Sequence, residues 1–145
     1  MARALVYSKR RTTPNQNKKL YTQMNEQELN YLVNEVNKIK SVTTTRHADD
    51  KLRQLDLNIN LIKELLGHFG TENIVEYNTG RGTERRVLVQ DKTHKIKCTN
   101  GRYVYGSYVI DLDDNKIVTA WVNYTNDKHK NCDMSYYNAN LQIIK

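Results

Sequence analysis

The stretch from Arg102 to Tyr124, RYVYGSYVIDLDDNKIVTAWVNY, decides the fold. Two runs rich in Val, Ile, Tyr and Thr flank Asp113-Asp114-Asn115, three residues that favour tight turns. The stretch therefore reads as two antiparallel strands, Arg102 to Leu112 and Lys116 to Tyr124, joined as a hairpin. Upstream, Asn73 to Asn78 and Thr83 to Gln90 have the same strand composition, with turn signals at Gly80 to Gly82 and Asn100-Gly101. Such short connections predict an antiparallel meander, and Leu141, Ile143 and Ile144 could add a short edge strand.

N-terminal to Asn73 the hydrophobic period is helical. Asn25 with Glu28 has the form of a capping box, and Leu29, Leu32, Val33, Val36 and Ile39 recur at helical spacing, so one amphipathic helix runs to about Ser41. A second is expected from Arg46 to Leu55, with Ala48, Leu52 and Leu55 inward. Asn58 caps a third, whose apolar residues are Leu61, Ile62, Leu65, Leu66 and Phe69, and Gly70 supplies its stop. The fold class is thus α+β: N-terminal helices packed on a C-terminal antiparallel sheet of four or five strands. Residues 1–23 are polar and basic, and read as a partly disordered arm ahead of a single domain over 24–145.

The 145 residues carry 23 Lys and Arg against 16 Asp and Glu, a formal charge of +7 that favours a polyanionic partner, nucleic acid or an anionic membrane surface. No long apolar run occurs, and the N-terminus MARALVYSKRRTT lacks the apolar core of a signal peptide. A soluble cytoplasmic protein without a membrane partner is expected, in the host cytoplasm if the chain is phage-encoded. In the arm, Arg10, Arg11, Lys18 and Lys19 are candidates for contact with RNA phosphates. The two cysteines, Cys98 and Cys132, each lie near a histidine, in His94-x3-Cys98 and His129-x2-Cys132, so a Cys2His2 zinc site can be drawn. Its spacings depart from the usual knuckle, and free thiols with no metal or cofactor are the simpler reading.

The residues with chemistry to offer are histidines, cations and tyrosines. His47, Lys51 and Gln54 form a polar stripe on the second helix, beside its apolar face. His68 shares a face with Leu61 and Leu65, and so is expected to point toward the sheet. Two imidazoles beside a basic surface suit acid–base cleavage of RNA, because imidazole exchanges protons near neutral pH. The bland alternatives are an exposed helix-start residue for His47 and a buried, backbone-satisfied ring for His68.

Alternation in the last long strand puts Ile117, Thr119 and Trp121 on one face and Val118, Ala120 and Val122 on the other, which leaves Thr119 as a β-former or a phosphate donor. Arg85 and Arg86 point to opposite faces, so one of them should meet the helices. Near the histidines, Arg85 could stabilise a pentacoordinate phosphate, while Arg86 reads as a surface charge open to RNA. Tyr103 and Tyr105 share a face and are candidates for stacking on unpaired bases.

The run from His47 to Asn58, followed by Ile62 and by Glu64-Leu65-Leu66-Gly67-His68, resembles the RegB family of phage endoribonucleases. It also looks like the broader barnase-EndoU-colicin-RelE class of RNases and toxins, in which a late strand reading like Ile117-Val118-Thr119-Ala120-Trp121 contributes a hydroxyl. The resemblance covers residues 46–69 and implies that His47 and His68 are the catalytic pair and Lys51 the supporting cation. It departs at Lys51 and Leu55, where the family more often has arginine.

Two functional classes follow from these residues. One is a metal-independent endoribonuclease that cleaves RNA through the 2′-hydroxyl to a 2′,3′-cyclic phosphate, with an acidic inhibitor as a further partner if it acts as a toxin. The other is a non-enzymatic phage or mobile-element regulator that binds nucleic acid or a host protein.

Overall fold

A computed structural model of the chain describes residues 16–127 and 133–144. Arg10, Arg11, His129 and Cys132 lie outside the described residues. The elements, in chain order, are β1 (Lys18–Leu20), α1 (Glu26–Asn37), β2 (Thr43–Thr44), α2 (Arg46–Gln54), α3 (Ile59–Lys63), β3 (Ile74–Asn78), β4 (Arg86–Gln90), β5 (Ile96–Lys97), β6 (Tyr103–Asp111) and β7 (Lys116–Tyr124). The seven strands form one sheet in the order β1-β3-β4-β6-β7-β2, with β5 also beside β6. Every pairing is antiparallel except that of β2 with β7. The architecture is α+β.

Local chemistry sets the element ends. Asn25 accepts from the Glu28 N–H at 2.8 Å while Glu28 accepts from the Asn25 N–H at 3.0 Å, which closes the expected capping box on α1. The Asp111 carboxylate accepts from the N–H groups of Asp113 and Asp114, both at 3.0 Å, and Asn115 takes the left-handed conformation at φ 56°, so the β6–β7 turn forms where the turn residues lie.

The core lies on one side of the sheet. Leu32 and Val36 of α1, Ala48 and Leu52 of α2 and Ile62 of α3 pack against Tyr77, Val87, Val89, Tyr108, Ile110, Ile117 and Ala120. On the opposite face Val75, Leu88, Val109 and Val118 form a small apolar cluster of strand residues only. No α-helix packs on this second face among the described residues; its cluster is nonetheless buried, and Tyr137 reaches over to bond Glu76.

Several expectations need correction. Lys18 to Leu20 belong to the sheet as β1, so this part of the segment read as an arm is a strand. Lys19 is 5% exposed, paired with Glu28 at 2.7 Å and donating to the Leu141 carbonyl at 3.2 Å, so it cannot serve an RNA backbone. Residues 141–144 form no strand; Ile143 instead fills the core. The short strands β2 and β5 were not anticipated. In β7 the alternation breaks, because a bulge opposite Val109 and Ile110 lets Ile117 and Ala120 both face the core while Val118 joins the outer cluster.

The third helix is also shorter than expected, and Gly67 rather than Gly70 marks its exit. Gly67 takes φ 89°, and the Asn37 side chain holds the turn by accepting from Gly67 N–H at 3.1 Å and Phe69 N–H at 3.0 Å while donating to the Phe69 carbonyl at 3.0 Å. Because the chain leaves the helical path at Glu64, the helical period does not reach His68. The His68 side chain is exposed rather than turned toward the sheet.

Asn37→Ala should destabilise the fold by about 1–3 kcal/mol, since it orphans partly buried backbone groups of the α3–β3 connection. Urea unfolding of both proteins checks this, and an unchanged midpoint would show that the three bonds do not hold the turn.

Candidate functional site

The best-assembled cluster among the expected residues is at the edge of β7. Thr45 caps α2 by accepting from the Ala48 N–H at 3.1 Å, and its hydroxyl in turn donates to the Val118 carbonyl at 3.3 Å. The Thr45 N–H also donates to the Ile117 carbonyl at 3.0 Å. One residue thus caps the helix and ties its first turn to the strand. The next turn of chain places His47 Nε2 3.3 Å from Thr119 Oγ1, at a site open to solvent. β2 pairs only with Lys116 and Ile117, so from Thr119 onward that edge of β7 has no strand beside it among the described residues.

Lys51 follows His47 by one turn on the same face of α2. The acids nearest to it in sequence are engaged elsewhere: Arg53 pairs with Asp49 at 3.0 Å and with Asp50 at 2.8 Å. The ammonium of Lys51 makes no ion pair among the described residues. His47, Lys51 and Thr119 therefore give one exposed edge an imidazole, a cation and a hydroxyl.

The other expected residues make no hydrogen bond or ion pair with this cluster among the described residues. The His68 ring makes no hydrogen bond or ion pair with His47, Lys51 or Thr119; it sits in the turn that Asn37 holds at the end of α1. Arg85 does meet the helices, donating to Tyr31 at 2.8 Å and pairing with Glu35 and Asp113, both at 3.0 Å. Burial opposes its charge, but the bonds to Glu35 and Asp113 outweigh it and raise its pKa above the ordinary arginine value. It is a fixed cation joining α1 to the start of β4, and its charge is spent there. Arg86 lies 3.6 Å from Asp111, and Lys18 lies 3.6 Å from Glu76.

Of the tyrosines, Tyr103 is 45% exposed, Tyr105 is half-buried and Tyr108 is sealed in the core. Two exposed aromatics were not singled out in the sequence: Trp121 shares the face of Tyr103 and Tyr105, while Tyr124 lies on the opposite side of β7. Trp121 is 37% exposed, and the Arg102 guanidinium lies 3.5 Å from the centre of the Tyr124 ring.

His94, drawn in the sequence as a possible zinc ligand, is instead engaged by two carboxylates, a role the sequence reading missed. Its Nδ1 lies 2.6 Å from Asp91 and its Nε2 lies 3.0 Å from Glu64. Asp91 is 1% exposed and also accepts from the N–H groups of Thr93 at 2.7 Å and His94 at 3.0 Å. The hydrogen bond to Asp91 is the main reason that the His94 pKa is raised, against a smaller opposing effect of burial. Both ring nitrogens are committed, so this histidine clamps the β4–β5 loop to the end of α3 and is not a free proton carrier. The signal was available: an Asp three residues before a His, directly after a strand.

Among the described residues, no group of three or more His, Cys, Asp or Glu side chains is placed to hold a metal ion, and no helix is long and apolar enough to cross a membrane. No protein-family model, curated protein or solved structure matches the chain.

Because the folded pKa of His94 is raised, protonation contributes stability that is fully present below the unfolded value of about 6.5 and is lost as pH rises through the folded value. The stability difference between the parent and His94→Gln should therefore be largest in mild acid and shrink above neutrality. Denaturant midpoints of both proteins across pH 5 to 9 check this, and a pH-independent difference would contradict it.

Proposed function

We propose that this chain is a metal-independent endoribonuclease whose acid–base group is His47. The observation that carries the reading is the 3.3 Å approach of His47 Nε2 to Thr119 Oγ1 on an open sheet edge, with Lys51 one helical turn away. An exposed imidazole held at a defined place is what general base catalysis needs.

In this scheme the neutral His47 ring takes the proton of a ribose 2′-hydroxyl. The 2′-oxygen attacks the adjacent phosphorus, the bond from phosphorus to the 5′-oxygen breaks, and a 2′,3′-cyclic phosphate results. Lys51 offsets the extra negative charge on the phosphoryl oxygens, and Thr119 donates to one of them once the ring is protonated. His68 was expected to protonate the leaving 5′-oxygen. Its ring makes no hydrogen bond to the cluster among the described residues, and the scheme assigns that proton to water. DNA, which lacks the 2′-hydroxyl, is not a substrate.

The exposed aromatics favour a second reading, an RNA binder without catalysis. Tyr103 and Trp121 share one face and provide the stacking surface that single strands need, whether or not cleavage follows. The charge of +7 also suits an acidic inhibitor or host protein.

His47→Ala should slow RNA cleavage by about a hundredfold or more while leaving RNA affinity within about twofold, because proton transfer acts in the transition state. His68→Ala should cut at the parental rate, and EDTA should change nothing. Equal rates for the parent and His47→Ala, or an inert parent protein that still binds RNA, would replace the enzyme with the binder.

A further inference from the structure

The open face of the sheet ends in a cavity that the proposed chemistry does not use. It measures about 450 Å³, within the usual range for small-molecule sites. Tyr21 and Tyr105 provide aromatic walls and Ile74 and Val75 apolar surface, while Lys92 contributes a cation beside the carboxylates of Glu72 and Asp127. Gln90 lines it too, from the last position of β4.

Gln90 is the informative residue. Its side chain is 2% exposed, and its amide nitrogen finds no hydrogen-bond partner among the described residues. A buried amide donor left unmade is unfavourable and uncommon in folded proteins. The amide nitrogen is closed off from the cavity as it stands, and a flip or turn of the side chain is needed to present a donor or an acceptor to an occupant. The neighbours do not satisfy it: Asn73 donates at 2.9 Å to the Gln90 backbone carbonyl and not to the side chain, while Ser107 on β6 donates at 2.8 Å to Asn123.

An aromatic wall, an unpartnered buried amide and a cation together fit a planar heterocycle with hydrogen-bonding edges. We propose that this cavity takes one unpaired nucleobase, stacked on Tyr105 and read by the Gln90 amide. Glutamine can bond two atoms of a base edge at once, which phosphate contacts cannot do. The placement matches the RNA reading, on which this inference rests. Thr119, Trp121 and Asn123 follow one another along the same face of β7, and Asn123 pairs with Tyr105 across the ladder. At about 3.4 Å per residue, Thr119 and the Asn123–Tyr105 pair lie roughly 14 Å apart. The exposed Trp121 ring stands between them. A single strand crossing from the cavity over Trp121 would bring a phosphate a few nucleotides away to His47.

The experiment measures binding of the four short 2′-O-methyl homo-oligonucleotides, which cannot be cleaved through the 2′-position, and of the four nucleoside monophosphates. The full-length parent should prefer one base, and the Gln90 side-chain amide resonance should shift on titration of the wild-type protein. Gln90→Leu should reduce that preference about tenfold, and Tyr105→Leu should weaken binding by a similar factor while Tyr105→Phe does not. Oligonucleotides binding more tightly than the monophosphate of the same base would identify RNA as the source. Preference for the free monophosphate would keep the base site but assign it to a nucleotide ligand. RNA binding with no base preference, and no shift of the Gln90 amide, would overturn the cavity while leaving the RNA reading intact. No binding of either ligand class would overturn both.

Discussion

The arrangement depends on one-sided burial of the sheet. Leu32, Val36, Leu52 and Ile62 cover one face, and their contact with Val87, Val89, Ile110 and Ile117 removes from water the apolar surface that drives folding. Three helices suffice for one face only. The other retains the Val75, Leu88, Val109 and Val118 cluster and otherwise presents aromatic, polar and charged side chains. Tyr103, Tyr105, Thr119 and Trp121 stand on that face, with His47 at its edge beside Thr119, and none of them is committed to an ion pair among the described residues.

The edge site follows from how the covering layer is attached. α2 is a short helix, and its first turn is held to β7 by Thr45 through both backbone and side chain. The bulge in β7 then lets Ile117 and Ala120 stay in the core while Thr119 stands outside it. A regular strand would have placed residue 119 on the same face as Ile117. The bulge and the Thr45 tie therefore act together to set imidazole and hydroxyl beside each other. Rigidity comes from the buried neighbours Ala48 and Ile117, and access from the β7 edge beyond β2, which carries no strand among the described residues.

Long, strongly patterned elements were legible in the sequence. Strands β3, β4, β6 and β7 and the starts of all three helices lie where composition and caps place them, because each combines several residues of consistent period with a local cap or turn. The short strands β1, β2 and β5 were not legible, since two or three residues carry no period and their pairing is decided by distant partners. Parity along β7 failed at the bulge, which no local residue announces. His68 was misplaced because the period was carried through Gly67, whose left-handed turn ends the helix. In the candidate site, His47, Lys51 and Thr119 could be named from type and spacing. The engagement of Arg85 and Lys19 could not, because Glu35, Asp113 and Glu28 meet them only in three dimensions. Gln90 reads as one more residue of an apolar strand, and its unpartnered amide is visible only in the folded chain.

The most direct measurement of the central claim is the chemistry of the ends left when purified protein acts on a defined single-stranded RNA, read by mass spectrometry. Attack by the 2′-oxygen, activated at His47, predicts fragments ending in a 2′,3′-cyclic phosphate and fragments beginning with a 5′-hydroxyl. Fragments ending in a 3′-hydroxyl and beginning with a 5′-phosphate would contradict it, because a water molecule rather than the ribose would then be the nucleophile.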